Sequence, residues 1–344
     1  MRKKVLIISA VLLSIVLVFT GCAKKTANAQ GQILQVKELG SFFVGGSNVT
    51  VNVPEDKMQK DAKGNLLNFN GDYESGQMYV SYVKLEEPKA KYPLLLWHGS
   101  ALTGATFETT PDGRPGWQTF FLKQGHDVYV SDAVERGRAG FSMFPEVYTD
   151  APQYRSKQAG WGLFRFGPEY GVAFEGLQFP VESYDYFNKQ FVPRWKSTDP
   201  LALEAYVEYM NQFDDGAVVI AHSQGTKFAM DAMLEAPEKF KGVVLLEPFI
   251  TPDLEKTDFS KIKGVPVLII YGDFIKDSPF WASAYDTIKK YAEAVEKAGG
   301  SVTWIDLPEK GINGNSHQLY MDKNSDEVAK VVQDWFQANN LMAK

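Results

Sequence analysis

The order of apolar and polar positions divides the chain in two. From residue 32 to about 85, short alternating runs are broken by Gly, Asn and Asp. Ser41–Val53 and Gly76–Leu85 have the two-residue period of strands with one buried face, and they predict an antiparallel pair. Further on, alternation gives way to continuous apolar runs at Tyr92–Trp97, Asp127–Ser131, Ala217–Ala221, Gly242–Leu246, Val265–Tyr271 and Ser301–Asp306. Helical patterns separate most of them. Continuous apolar strands alternating with helices predict a mostly parallel sheet covered on both faces, an α/β architecture. A final helix is predicted by Val328, Val331, Val332, Trp335 and Phe336, which share one helical face. Asn324 and Glu327 stand at its start in capping-box spacing.

One segment breaks the alternation. Residues 141–195 hold no clear strand of the main sheet but many aromatic residues, among them Phe141, Tyr148, Trp161, Phe164, Phe166 and Trp195. An insertion this long between two sheet strands predicts a lid over a cleft, with its rings walling a pocket. The competing expectation is a small satellite core away from any chemistry.

The N-terminus reads as a targeting segment. Arg2, Lys3 and Lys4 precede Val5–Phe19, which is apolar apart from Ser9, Ala10 and Ser14. This run falls short of the about 20 residues that a membrane span needs and suits a signal-peptide core. Thr20-Gly21-Cys22 follows and resembles a bacterial lipoprotein box. The expectation is a signal peptide over residues 1–21, lipid on Cys22 and a flexible tether over residues 22–31. The anchored domain would then span residues 32–344 and face away from the cytoplasm.

Composition narrows the function. The chain of 344 residues is 44% hydrophobic and carries a formal net charge of −6, which becomes −9 once the three N-terminal cations are removed. An acidic chain without a basic run is a poor nucleic-acid binder. Cys22 is the single cysteine. With it lipidated, the mature chain has no disulfide, within or between copies, and depends on its core for stability.

The strongest candidate for chemistry is Ala221-His222-Ser223-Gln224-Gly225, set between an apolar strand and a helix predicted to start near Thr226. This is the layout of a nucleophile elbow. A sharp strand-to-helix turn exposes the serine hydroxyl and needs small residues two positions either side. Ala221 stands where glycine is usual. A serine nucleophile needs a base, and the chain has four histidines. His98 ends a strand, His126 begins one at the opposite sheet edge, and His222 should point away from the elbow. His317 remains, in a Gly- and Asn-rich loop between the last strand and the last helix, which fits the order Ser, acid, His. For the acid, Glu247 and Asp273 both end strands at the edge where parallel sheets place their ligands, and position leaves them equal. Donors for a developing oxyanion are expected at the backbone N–H groups of Gln224 and Ser100, with Gly99 needed for the turn. Asp322–Asp326 has some likeness to a calcium loop but lacks the required glycine, and helix capping explains it better. No metal site is expected.

Together these residues resemble the α/β-hydrolase superfamily over roughly residues 85–340. More narrowly the chain is similar to secreted bacterial esterases of the esterase 713-like group. The resemblance rests on Trp97-His98-Gly99-Ser100-Ala101-Leu102-Thr103-Gly104, Glu108-Thr109-Thr110-Pro111-Asp112-Gly113-Arg114-Pro115-Gly116-Trp117, Val192-Pro193-Arg194-Trp195 and the elbow. It implies cofactor-free hydrolysis of a small-molecule carboxylic ester. It also implies a triad acid after the strand that follows the nucleophile, which selects Glu247 and leaves Asp273 a supporting or alternative role. A lipase, an amidase, a cofactor-free haloperoxidase or a non-catalytic ligand-binding lipoprotein are the other readings of the same pattern.

Overall fold

The structure is a computed structural model, and it describes residues 33–141, 144 and 146–343. The expected signal segment, Cys22 and the expected tether lie outside the described residues. Among the described residues, eight strands form one sheet in the order β1-β2-β4-β3-β5-β6-β7-β8. β1 (Val36–Val51) and β2 (Gly71–Leu85) pair antiparallel along their length. β2 also runs antiparallel to β4 (Val128–Asp132). β3 (Leu94–Trp97), β4, β5 (Ala217–His222), β6 (Phe240–Leu246), β7 (Pro266–Tyr271) and β8 (Ser301–Asp306) are parallel. The apolar runs predicted the parallel strands to within two residues at most ends. β1 and β2 begin five residues earlier than expected. Their outer residues are largely polar and solvated, so no hydrophobic alternation marks them.

The helices are α1 (Ala105–Glu108), α2 (Trp117–Gln124), α3 (Lys157–Leu163), α4 (Tyr184–Asn188), α5 (Asp199–Asn211), α6 (Gln224–Glu235), α7 (Pro279–Lys297) and α8 (Ser325–Ala338). They cover both faces of the sheet. On one face Tyr206 and Tyr209 of α5, Phe228 and Met230 of α6 and Ile288 and Tyr291 of α7 pack on alternate strand residues such as Leu95, Val219 and Leu245. On the other, Trp117 and Phe121 of α2 and Val332 and Phe336 of α8 cover Leu96, Ile220 and Leu246. A strand buried on both faces has no polar side, which is why these strands read as continuous apolar runs.

The described residues of 141–195 contain α3, α4 and irregular chain, with no strand of the sheet. Ser156 caps α3 by accepting a hydrogen bond from the Ala159 N–H (3.1 Å). Trp161, Phe164, Phe166, Phe179, Tyr184 and Phe187 join the same apolar cluster as Leu96 and Leu246. The rings therefore extend the main core. Tyr148 and Trp195 form a small separate group with Val147.

Candidate active site

Ser223 sits between β5 and α6 with φ 52° and ψ −116°, a backbone conformation that non-glycine residues rarely adopt. Local contacts hold it there. The Ser223 N–H donates to the Leu246 carbonyl (2.9 Å), and the Thr226 hydroxyl and N–H both donate to the Ser223 carbonyl (2.6 and 3.0 Å). α6 starts at Gln224, two residues earlier than periodicity suggested, because Ser223 itself is the turn. A Cβ on Gly225 would lie 2.7 Å from the His98 carbonyl oxygen, so α6 approaches the loop after β3 too closely for any side chain.

The Ser223 Oγ lies 3.0 Å from His317 Nε2, and His317 Nδ1 lies 3.2 Å from Glu247 Oε2. The next link carries no motif in the sequence. Arg165, within the aromatic insertion, donates to both Glu247 oxygens, Nη1 to Oε2 at 2.8 Å and Nη2 to Oε1 at 2.6 Å. The Gly272 N–H adds a third bond to Oε1 (2.6 Å). Arg165, Glu247 and His317 are each no more than 1% exposed. Glu247 and Arg165 also have positive φ, 54° and 56°. Burial alone would raise the Glu247 pKa, but the guanidinium and the imidazole outweigh it and hold the carboxyl at about 2. Burial dominates at His317 and holds it at about 4 despite the pull of Glu247, so the imidazole is neutral near pH 7. A hydroxyl, a neutral imidazole and a fixed anion in series can take up and return a proton.

Asp273, the other candidate acid, makes no hydrogen bond or ion pair with His317. Its carboxylate accepts the Phe274 N–H (2.8 Å) and the Gly314 N–H (3.0 Å), its carbonyl accepts Arg165 Nε (2.8 Å), and its N–H donates to the Asn315 carbonyl (2.7 Å). It therefore braces both Arg165 and the loop that carries His317. Asp322 braces the same loop through Ser316 Oγ (2.7 Å), Ser316 N–H (2.8 Å) and Asn315 Nδ2 (3.0 Å). Burial raises its carboxyl to about 7. This corrects the expectation that Asp322–Asp326 serves helix capping. Asn324 precedes α8 without a side-chain cap bond. Its amide pairs with that of Asn315 instead (2.8 and 3.1 Å), so two loop residues take the groups that a capping box would have used. Among the described residues, no group of three or more His, Cys, Asp or Glu is placed to hold a metal ion.

The other histidines have structural partners. His98 Nε2 accepts the Ala133 N–H (3.0 Å), and its Nδ1 meets the Gly99 carbonyl (2.8 Å), which ties the loop after β3 to the end of β4. His126 bonds Gln333 Oε1 on α8 (2.8 Å), at the other sheet edge as expected. His222 does not point away from the site. Its Nε2 bonds the His317 carbonyl oxygen (2.8 Å), and the two rings lie 4.6 Å apart, so it supports His317 from below. Gly99 also serves differently from the expectation. Its φ is not in the left-handed region, but a Cβ there would lie 2.8 Å from His222 Nδ1 and 3.1 Å from the Ser223 Cβ. Close approach, and not turn geometry, is what demands glycine.

A cavity of about 570 Å³ opens at Ser223 and His317. Ser100 and Gln224, the expected oxyanion donors, line it. Its aromatic wall is Phe249, Phe280 and Trp281, which lie outside the insertion. The insertion contributes Arg155, Leu163 and Arg194. Of its rings, Phe164 comes nearest the chemistry, stacked parallel to His317 at 5.9 Å. The expectation of a pocket walled by the insertion's rings is thus corrected: they are consumed by the core beneath, and the insertion faces the cavity mainly with guanidinium groups.

No family model matches the chain. A bacterial esterase solved at atomic resolution is 32% identical and superposes with a TM-score of 0.80, covering 90% of this chain and 98% of that one. A probable secreted lipase, phiG, from a fungal species (strain ATCC 74256) is 25% identical over 351 residues, 81% of this chain and 92% of that protein. The eight-stranded, mostly parallel sheet with helices on both faces agrees with these relationships. The chain belongs to the family of that bacterial esterase, within the α/β-hydrolase superfamily.

Proposed function

We propose that the protein is a serine carboxylic ester hydrolase that works through Ser223, His317 and Glu247. The observation that carries this reading is the buried series Ser223 Oγ, His317, Glu247, with separations of 3.0 and 3.2 Å. Its family includes a protein described as an esterase, and a more distant relative is described as a probable secreted lipase. The cavity volume of about 570 Å³ lies inside the ordinary range for small-molecule sites, about 300–1,000 Å³.

In this reading Glu247 accepts the Nδ1–H of His317 and so leaves Nε2 free as a base. His317 takes the Ser223 proton while Oγ attacks the ester carbonyl carbon. The tetrahedral oxyanion is met by the N–H groups of Gln224 and Ser100. Collapse breaks the bond to the alcohol, which leaves with the proton from His317, and the acyl group stays on Ser223. Water then attacks by the same route, His317 again moving the proton, and the carboxylic acid is released. Asp273 acts as a brace. The insertion over residues 141–195 acts as one wall of the cleft.

Export and anchoring belong to the same proposal. Residues 1–21 direct export, Cys22 carries lipid, and residues 22–31 tether the domain outside the cytoplasm. The relative described as secreted supports export.

The test is labelling by a fluorophosphonate probe together with hydrolysis of p-nitrophenyl esters. Wild type is labelled at Ser223 and turns over esters. Ser223→Ala loses both, with ester hydrolysis down by several orders of magnitude and an unchanged circular dichroism spectrum. Turnover by the folded variant above a few per cent of wild type excludes Ser223 as the nucleophile.

A further inference from the structure

We propose that the cavity takes esters bearing a carboxylate, and that Arg155 is the residue that recognises it. This deepens the proposed function and rests on Ser223 being the nucleophile.

The charge lining the cavity is unbalanced. Arg155, Arg194, Lys196 and Lys227 face it, against Asp199 as the carboxylate outside the proposed triad. Two of the cations have carboxylate partners, although the Arg194 Nε, like that of Arg155, is buried without a hydrogen-bond partner. Arg194 holds Asp199 through both oxygens at 2.8 Å, and Lys227 pairs with Asp231 at 2.6 Å. Asp199 also accepts Gln224 Nε2 (3.1 Å), so its acceptor capacity is largely used. Among the described residues, Arg155 and Lys196 have no ion-pair partner. Lys196 is exposed and solvated, whereas Arg155 is half-buried and its Nε is buried with no hydrogen-bond partner.

A half-buried guanidinium without a carboxylate partner keeps its charge available to an anion that enters the cavity. Its position suits a substrate group. The guanidinium lies 5.4 Å from the centre of the Phe164 ring, which itself stacks on His317 at 5.9 Å. Arg155 is thus one ring removed from the proposed base and lines the same cavity as Ser223. The planar fork also suits bidentate pairing with a carboxylate. The chain as a whole is acidic, with a net charge of −6, so the excess of cations around this cavity runs against its average.

The experiment compares kcat/KM for p-nitrophenyl hemiglutarate with that for p-nitrophenyl valerate, and for 4-acetoxybenzoate with that for 4-acetoxybenzamide. The first pair places the charge on the acyl side and the second on the leaving group. Wild type prefers the charged member of at least one pair by about tenfold to a hundredfold, the range for a charge-assisted hydrogen bond. The preference resides mainly in KM and shrinks as salt is added. Arg155→Gln abolishes it and Arg155→Lys restores part of it. Equal rates within both pairs, or a preference untouched by Arg155→Gln, overturns the proposal. Should Arg155→Gln fail to fold, the wild-type preference and Arg155→Lys still decide. Calorimetric titration of Ser223→Ala with monomethyl glutarate separates recognition from chemistry. Binding without turnover of any ester by wild type sinks the hydrolase reading alone. Turnover without binding or preference sinks the anion reading alone.

Discussion

Arg165 and Glu247 form a two-bond ion pair buried to 1% exposure or less, and the same carboxylate faces His317 at 3.2 Å. The anion next to the imidazole is therefore shared with a permanent cation. That sharing keeps Glu247 ionised in a site where burial alone would favour the neutral acid. It also limits how strongly Glu247 can raise the pKa of His317, since Arg165 acts on the imidazole in the opposite direction.

Removing Arg165 should harm stability and move the pH profile. Arg165→Gln leaves a buried carboxylate without its cation, which costs about 3–5 kcal/mol. Denaturant unfolding measures this. In the fraction that remains folded, the acid limb of kcat/KM moves to higher pH, because the remaining charges on His317 are Glu247, which raises its pKa, and Arg155, which lowers it. In wild type that limb lies below the ordinary histidine value of 6.5, towards about 4. A limb unmoved by the substitution shows that Arg165 does not act on the base.

Glu247→Gln should lower kcat/KM by about two to four orders of magnitude, because the amide cannot stabilise an imidazolium and can favour the wrong tautomer. Asp273→Asn should cost far less. Asparagine keeps an oxygen for the Gly314 N–H and does not touch the imidazole. Parallel kinetics of the two variants at equal folded fraction decide the assignment. If Asp273→Asn is the inactive one, the acid comes from the later strand.

Acid should destabilise the fold before most carboxylates titrate. Burial lowers the pKa of His98, His126 and His317 to about 4 and that of His222 well below 6.5. The unfolded chain binds protons below about 6.5 that the native state refuses, so stability is full above that pH and falls towards about 4. Asp322, raised to about 7, opposes this by holding its proton in the native state, as do Asp127 and Glu135, whose carboxyls burial also raises, so three carboxyls stand against four imidazoles. The net loss by pH 4 should be on the order of several kcal/mol. Glu247 adds a further loss between 4.5 and about 2. Thermal midpoints recorded from pH 7.5 to 4 test this, and a flat profile contradicts it.

Cys22→Ser should abolish lipid attachment and leave an unprocessed or soluble form. Mass spectrometry of the mature N-terminus is the measurement. An unmodified N-terminus elsewhere between Ala23 and Gly31 counts against the anchor.

The sheet was legible because each parallel strand is buried on both faces and is written as an unbroken apolar run. Ser223 was legible because its turn constrains neighbours at fixed offsets. His317 was found by elimination among four histidines. Arg165 was not legible. It lies between Phe164 and Phe166 in a stretch that reads as aromatic packing, and its partner is 82 residues away. Asn324 misled for the converse reason. Its local spacing matched a cap, but a tertiary neighbour, Asn315, took its amide. His222 was misjudged because its orientation depends on how the His317 loop folds over it.

Every link of the series is distant along the chain. Arg165 reaches Glu247 across 82 residues, Glu247 reaches His317 across 70, and His317 reaches Ser223 across 94. Closing such loops is paid for in chain entropy before any contact rewards it. No hairpin or single crossover unit contains even one of these pairs, so a folding intermediate that keeps local structure alone presents a serine with no partner. The Ser223–His317–Glu247 arrangement is thus a property of the whole tertiary structure, which needs the insertion, two strand ends and the final loop all docked.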